Sequence, residues 1–231
     1  MQRVKLLVLA VMSVFALGAA MSATAFARVE ALNANNLPTS VRFTGASEKV
    51  TALGVLGKKT LVRCAKTDTE GELEATGKLG PFHLDFLKCR VFEGNTNLGP
   101  CTGLGEATET ILALGMVHLA TNSTLTIGYV NFLTDHLHFT CTVLIQKLVL
   151  VLGEYICKIT PINVLTATAT IKCERGAEDG DPAVTTYEND LGQEATLTNP
   201  LKAGETEGAE EMASEEGEGE VTLTPEAKID V

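Results

Sequence analysis

The chain has 231 residues, a net charge of −11, six cysteines, 5% aromatic residues and no tryptophan. Acidity without a basic stripe excludes phosphate-backbone recognition, so no nucleic acid is expected as a partner. Anionic membrane or wall polymers are poor partners for the same reason.

In chain order, the first predicted element is a leader. Arg3 and Lys5 precede an apolar run, Leu6 to Ala20, and Ala25-Phe26-Ala27 closes it with small residues at the first and third places. This pattern predicts a secretory signal peptide over 1–27, helical in its apolar part, with cleavage after Ala27. Loss of Arg3 and Lys5 takes the net charge from −11 to −13. Residues 28–231 are expected to form one exported β-rich domain. Arg28 to Asn36 also reads as helical.

The rest reads as strands. The sequence predicts them at Lys58–Ala65, Glu72–Gly77, Phe82–Phe92, Gly105–Leu119, Thr124–Phe132, His136–Val143, Val149–Thr160, Thr166–Cys173, Ala195–Asn199, Glu220–Thr224 and Ala227–Val231. The clearest signal is Thr166 to Cys173, where Ala167, Ala169, Ile171 and Cys173 share one face and threonines with Lys172 take the other. Leu137, Phe139, Cys141 and Val143 alternate in the same way. The seven prolines fall between apolar runs. About ten or more short strands with regular turn signals give an all-β class: one antiparallel barrel or sandwich. Leu144 to Leu152 is apolar but is interrupted by Gln146 and Lys147, and it is shorter than the roughly 20 residues of a spanning helix. No membrane span is expected after leader cleavage. Gly176–Pro182 reads as a polar loop and Gly204–Glu220 as a solvated acidic loop.

All six cysteines follow the leader, so export to an oxidising compartment makes three structural disulfides the expectation. Cys89 and Cys101 flank a short Gly/Asn/Pro-rich loop and are read as a clip. Cys157 and Cys173 lie on the apolar faces of consecutive strands. That leaves Cys64 with Cys141. Six cysteines allow many pairings, and spacing does not decide among them.

The order of pieces around these cysteines carries a resemblance. It runs through Leu61-Val62-Arg63-Cys64, Phe86-Leu87-Lys88-Cys89, Cys101-Thr102-Gly103, Leu125-Thr126-Ile127-Gly128-Tyr129-Val130, Phe139-Thr140-Cys141, Ile159-Thr160-Pro161-Ile162-Asn163 and Gly180-Asp181-Pro182. Over nearly the whole exported part, the chain resembles uncharacterised exported β-rich, disulfide-bonded proteins of soil actinobacteria. The resemblance implies one β-rich unit and bacterial export to the medium or cell surface. It implies no activity, cofactor or catalytic residue.

Candidate chemistry is sparse. His136 and His138 are two apart on a strand and share a face, so both imidazoles could reach one metal. Glu178, Asp179 and Asp181 could offer oxygens to a hard cation, although Pro182 shortens the loop and the spacing is not that of a helix–loop–helix site. No nucleophile elbow, zinc-protease or Ser-x-x-Lys motif is present. No cofactor and no catalytic residue is nominated. The leading expectation is a non-catalytic exported protein acting by binding or in the cell-surface layer. The alternatives are an extracellular hydrolase built on scattered carboxylates or a His136/His138 metal site, and a carrier of small lipophilic ligands.

Overall fold

In the computed structural model the described residues are 29–48, 51–54, 60–75, 79–122, 124–141, 145–175, 184–188, 194–197, 202–204, 211–212 and 214–231. The leader, the Gly176–Pro182 loop and most of 205–213 therefore lie outside them. The described residues form fifteen strands: β1 Glu30–Leu32, β2 Val41–Ser47, β3 Thr51–Gly54, β4 Thr60–Leu73, β5 Gly80–Glu93, β6 Thr96–Gly103, β7 Thr110–Thr121, β8 Gly128–Cys141, β9 Ile145–Thr160, β10 Thr166–Cys173, β11 Thr186–Glu188, β12 Glu194–Thr196, β13 Lys202–Gly204, β14 Glu211–Met212 and β15 Ser214–Asp230.

Eight of them close a ring of antiparallel ladders, β2–β4–β5–β7–β8–β9–β10–β15 and back to β2. Closure leaves no free edge in this ring. The long strands then change partners. β5 pairs β7 up to Leu87 and β6 from Arg90, and Lys88, between them, has a left-handed φ of 57°. β8 leaves β7 after Thr134 and reaches β6 at Phe139, with a register irregularity in between. Beyond this waist the pairing continues through β3, β4, β5, β6, β8, β9, β13 and β14, and the start of β15 pairs β3.

The ring is filled by alternating bulk. One row of directly paired residues runs Leu223–Phe43–Gly71–Phe82–Gly115–Thr134 across β15, β2, β4, β5, β7 and β8. A Cβ on Gly71 would collide with the Phe43 ring, and one on Gly115 would collide with the Leu133 carbonyl oxygen. Each glycine yields its space to a neighbouring phenylalanine, the large/small alternation expected inside a narrow barrel. Phe82 meets Phe132 edge-on at 5.0 Å, and Phe132 stacks on Tyr155 at 5.0 Å. At one end, β1 and the last residues of β15 form a ribbon that buries Val29, Ala31, Ala227 and Ile229.

Three disulfides join directly opposed residues of adjacent strands: Cys64–Cys89 (β4–β5), Cys101–Cys141 (β6–β8) and Cys157–Cys173 (β9–β10). Their Cα–Cα distances of 4.0, 4.0 and 4.2 Å match the closer, non-hydrogen-bonded type of antiparallel pair. The Cys157–Cys173 bridge follows the sequence reading. The Cys89–Cys101 and Cys64–Cys141 pairings do not form. Cys64 opposes Cys89, Cys101 opposes Cys141, and Arg90↔Pro100 places Cys89 and Cys101 one step beyond the last β5–β6 pair. The four cysteines thus lie in one row across four strands. Bridging the middle two would leave Cys64 and Cys141 three strand spacings apart, about 14 Å, beyond the roughly 7 Å a disulfide can span. Stable bridges of this kind belong to an oxidising compartment.

Other expectations change. The helix read over Arg28–Asn36 does not form in its described part, 29–36: Glu30–Leu32 pairs with the C-terminal strand, and the Asn33 side chain accepts hydrogen bonds from the Asn35 and Leu37 amides at 2.8 and 3.2 Å, favouring a turn. The acidic stretch is not a loop over 214–220. It is the first part of β15, with Glu218 and Glu220 paired to Lys172 and Thr170. Nor do all prolines lie between strands. Pro81 and Pro100 are within β5 and β6, and Pro225 sits where the β10 register jumps from Thr222 to Ala227.

Candidate functional site

Recesses of ligand size lie on the outer wall of the ring, across β2, β4 and β5. Outward positions there carry Arg42 and Thr44 on β2, Asp68, Glu70 and Glu72 on β4, and His83 and Asp85 on β5. Register brings Glu70 opposite His83, Asp68 opposite Asp85 and Arg42 opposite Glu72. His83 Nε2 is 3.2 Å from Asp85 Oδ1, and Nδ1 is 3.7 Å from Glu70 Oε1. Lys66 Nζ pairs with Asp68 at 2.9 Å. Two open grooves of ≈ 430 and ≈ 360 Å³ meet at Glu70 and His83, and Phe82 and Leu114 add an apolar edge to the larger one. An imidazole between two carboxylates can bind a cationic or hydroxyl-bearing ligand, or exchange protons with one. The register that joins these residues is not written in their spacing, so nothing in the sequence marks His83 above chance.

A second polar cluster lies on the opposite wall. Asn131 is fully buried on β8 beneath the β11–β12 hairpin. Its amide donates to His118 Nε2 at 3.2 Å and to Glu154 Oε2 at 3.3 Å. His118 Nδ1 lies 3.1 Å from the Leu119 carbonyl, so the consistent tautomer carries its proton on Nδ1. Asn131 Oδ1 has no hydrogen-bond partner among the described residues. Tyr187 covers the cluster, its ring centroid 6.2 Å from that of His118. Burial raises the Tyr187 phenol above its ordinary value, and the Glu154 carboxylate adds to the shift. With Nε2 engaged by Asn131, His118 is committed to holding the wall together.

Beside the Cys157–Cys173 bridge, Lys158 and Lys172 are directly opposed like charges. Glu174 spans both, at 2.7 and 2.6 Å. The hydrogen bond from Lys158, then that from Lys172, lowers its carboxyl to about 2. Because the folded value lies below the ordinary 4.5, this contribution is full above that pH and is lost as the pH falls towards 2. Glu174→Gln is therefore expected to lower stability at pH 7 by less than about 1 kcal/mol, since the pairs are solvent-screened. The difference from the parent should vanish at the acid end of a urea-unfolding series run between those two values.

Inside the ring a void of ≈ 60 Å³ lies between Phe132, Tyr155 and Leu84 and the inward glycines Gly217 and Gly219. Of the residues nominated from sequence, His138 is half-buried on β8 just past the waist, and its carbonyl accepts from Leu104 N at 3.1 Å. The His136 side chain and Glu178, Asp179 and Asp181 lie outside the described residues. Among the described residues, no group of three His, Cys, Asp or Glu side chains is spaced to hold a metal ion. No family model, no curated protein and no solved structure matches the chain.

Proposed function

We propose that this is an exported, non-catalytic protein that acts by binding at its outer surface or as part of the cell-surface layer. The observation that carries the reading is where space lies. Among the described residues the core is packed and cross-linked, with a void of ≈ 60 Å³ beside Phe132 and Tyr155, whereas recesses of several hundred Å³ open on the outer wall. Ligand pockets commonly hold roughly 300–1,000 Å³, the range of these outer recesses. Export rests on the leader pattern and is supported by the three disulfides.

The test is native mass spectrometry of the protein recovered from its own culture medium. The expected species begins at Arg28, contains no free thiol and retains a ligand or partner that denaturation releases. Protein confined to the cytoplasm with its leader attached would overturn the reading. A second reading, an extracellular hydrolase, is favoured by one observation, His83 held between Asp85 and Glu70 in an open groove. It would require a hydrolytic activity that His83→Ala abolishes without loss of folding.

A further inference from the structure

The three bridges differ in how an outside nucleophile can reach them. Cys64, Cys89, Cys101, Cys141 and Cys157 are buried, none more than 3% exposed, whereas Cys173 is partly exposed. Exchange at a disulfide proceeds by attack of a thiolate on one sulfur, so access to that sulfur governs the rate. The register accounts for the difference. Each bridge runs across the sheet from one strand to the next, and displacement at sulfur is in line with the bond that breaks. A nucleophile aimed at Cys157 would have to come from β8, where the fully buried Val130 stands directly opposite. One aimed at Cys173 comes from β15, where the directly opposed residue is Gly217.

Gly217 leaves that approach without a side chain, and Gly219, opposite Ile171, does the same at the next inward position. The ≈ 60 Å³ void lies against Cys173 and both glycines. A water needs roughly 10–15 Å³, so the void can take the leading atoms of a small thiol. Stability points the same way. The bonded cysteines are 16 residues apart, the shortest separation of the three, so opening this bridge costs the fold least. Among the described residues, the β9–β10 ladder that it closes is also the shortest in the ring, with four paired positions from Thr160↔Thr170 to Cys157↔Cys173. Glu174 ties Lys158 to Lys172 beside the bridge, so β9 and β10 stay joined when the sulfurs part.

We propose that Cys173 is a site of reversible modification by low-molecular-mass thiols, through exchange at the Cys157–Cys173 bridge. In the first step the external thiolate bonds to Cys173 Sγ and the bond between the two cysteine sulfurs breaks. Its electron pair leaves on Cys157 Sγ, which takes up a proton from water. One disulfide replaces another, with no net oxidation or reduction. A second thiol attacking the mixed disulfide carries away the symmetric external disulfide and leaves two protein thiols, a two-electron reduction of the bridge. Attack by the Cys157 thiolate on the mixed disulfide instead expels the external thiol and restores the bridge. The other two bridges, with every sulfur buried, stay closed under the same conditions. The inference stands on the bridge alone and does not depend on what the outer grooves bind.

The test incubates the oxidised protein with reduced glutathione under native conditions, blocks free thiols at intervals and maps the products by peptide mass spectrometry. The expected first product carries glutathione on Cys173 and a blocked thiol on Cys157, with an unchanged circular dichroism spectrum. It should form about tenfold or more faster than any product of the other two bridges, whose sulfurs are shielded. Gly217→Val puts a branched side chain in the line of approach and should slow this product about tenfold. Gly217→Ala, the gentler change, should slow it in the same direction with the fold intact. Glutathione appearing first on another cysteine, all three bridges opening at one rate, or a rate that the glycine substitutions leave unchanged would each overturn the proposal.

Discussion

Replacing Cys101 and Cys141 together by alanine is expected to lower the unfolding free energy by about 4 kcal/mol, the largest loss among the three bridges. The bonded cysteines are 40, 25 and 16 residues apart for Cys101–Cys141, Cys64–Cys89 and Cys157–Cys173. Chain entropy gives about 4, 3.5 and 3 kcal/mol for loops of these lengths. Local structure argues for the same first place. The β6–β8 ladder has three paired positions, Cys101↔Cys141, Thr102↔Thr140 and Gly103↔Phe139, whereas Cys64–Cys89 lies within a ladder running from Thr60 to Gly71. Losing the β6–β8 bridge therefore weakens a seam with little else to hold it. Urea unfolding of the three double-alanine proteins checks the order. A Cys101/Cys141 variant as stable as the parent would mean that the seam is held by something other than the bridge.

The second large effect concerns two glycines with opposite expectations. Gly115→Ala should cost about 2–3 kcal/mol, the upper part of the range for overpacking. Its new Cβ would collide with the Leu133 carbonyl oxygen and lie 2.7 Å from Phe82 Cε1, and backbone in a ladder cannot give way cheaply. Gly115→Val should prevent stable folding. At Gly219 a new Cβ would meet only Ser47 Cβ, at 3.4 Å, and this glycine lines the interior void. Gly219→Ala is expected to raise stability by about 0.5–1 kcal/mol, by reducing the freedom of the unfolded chain. Thermal and urea midpoints of the two alanine variants should move in opposite directions.

The same glycines explain how far the sequence could be read. Alternation marked Thr166–Cys173 and Phe82–Phe92 because their inward positions carry apolar side chains. It missed the middle of β4, where the inward positions are Thr67, Thr69 and Gly71, and the start of β15, where they include Gly217 and Gly219. At Gly71 the volume comes from Phe43 on β2, and Gly217 and Gly219 border the void beside Phe132 and Tyr155, so neither stretch carries an apolar signal of its own. Glutamates between those glycines then read as a solvated loop. The disulfides failed for a related reason. Cys157 and Cys173 lie in two recognised consecutive strands, and their opposition follows from one short turn. Cys64–Cys89 depends on the full length of β4, whose middle the sequence did not mark, and Cys101–Cys141 on β6 pairing with β8, a non-local arrangement that spacing does not encode. His83 and Asp85 share one face of β5, and Glu70 meets His83 through the β4–β5 ladder in the stretch of β4 that carried no alternation, so spacing gave no sign of the outer groove.

The most direct test of this architecture is the connectivity of the four-cysteine row. Proteolysis of thiol-blocked, unreduced protein, followed by mass spectrometry of the linked peptides, should recover Cys64 joined to Cys89, Cys101 to Cys141 and Cys157 to Cys173, with no blocked thiol. Peptides joining Cys89 to Cys101, or blocking agent on Cys64 and Cys141, would contradict it.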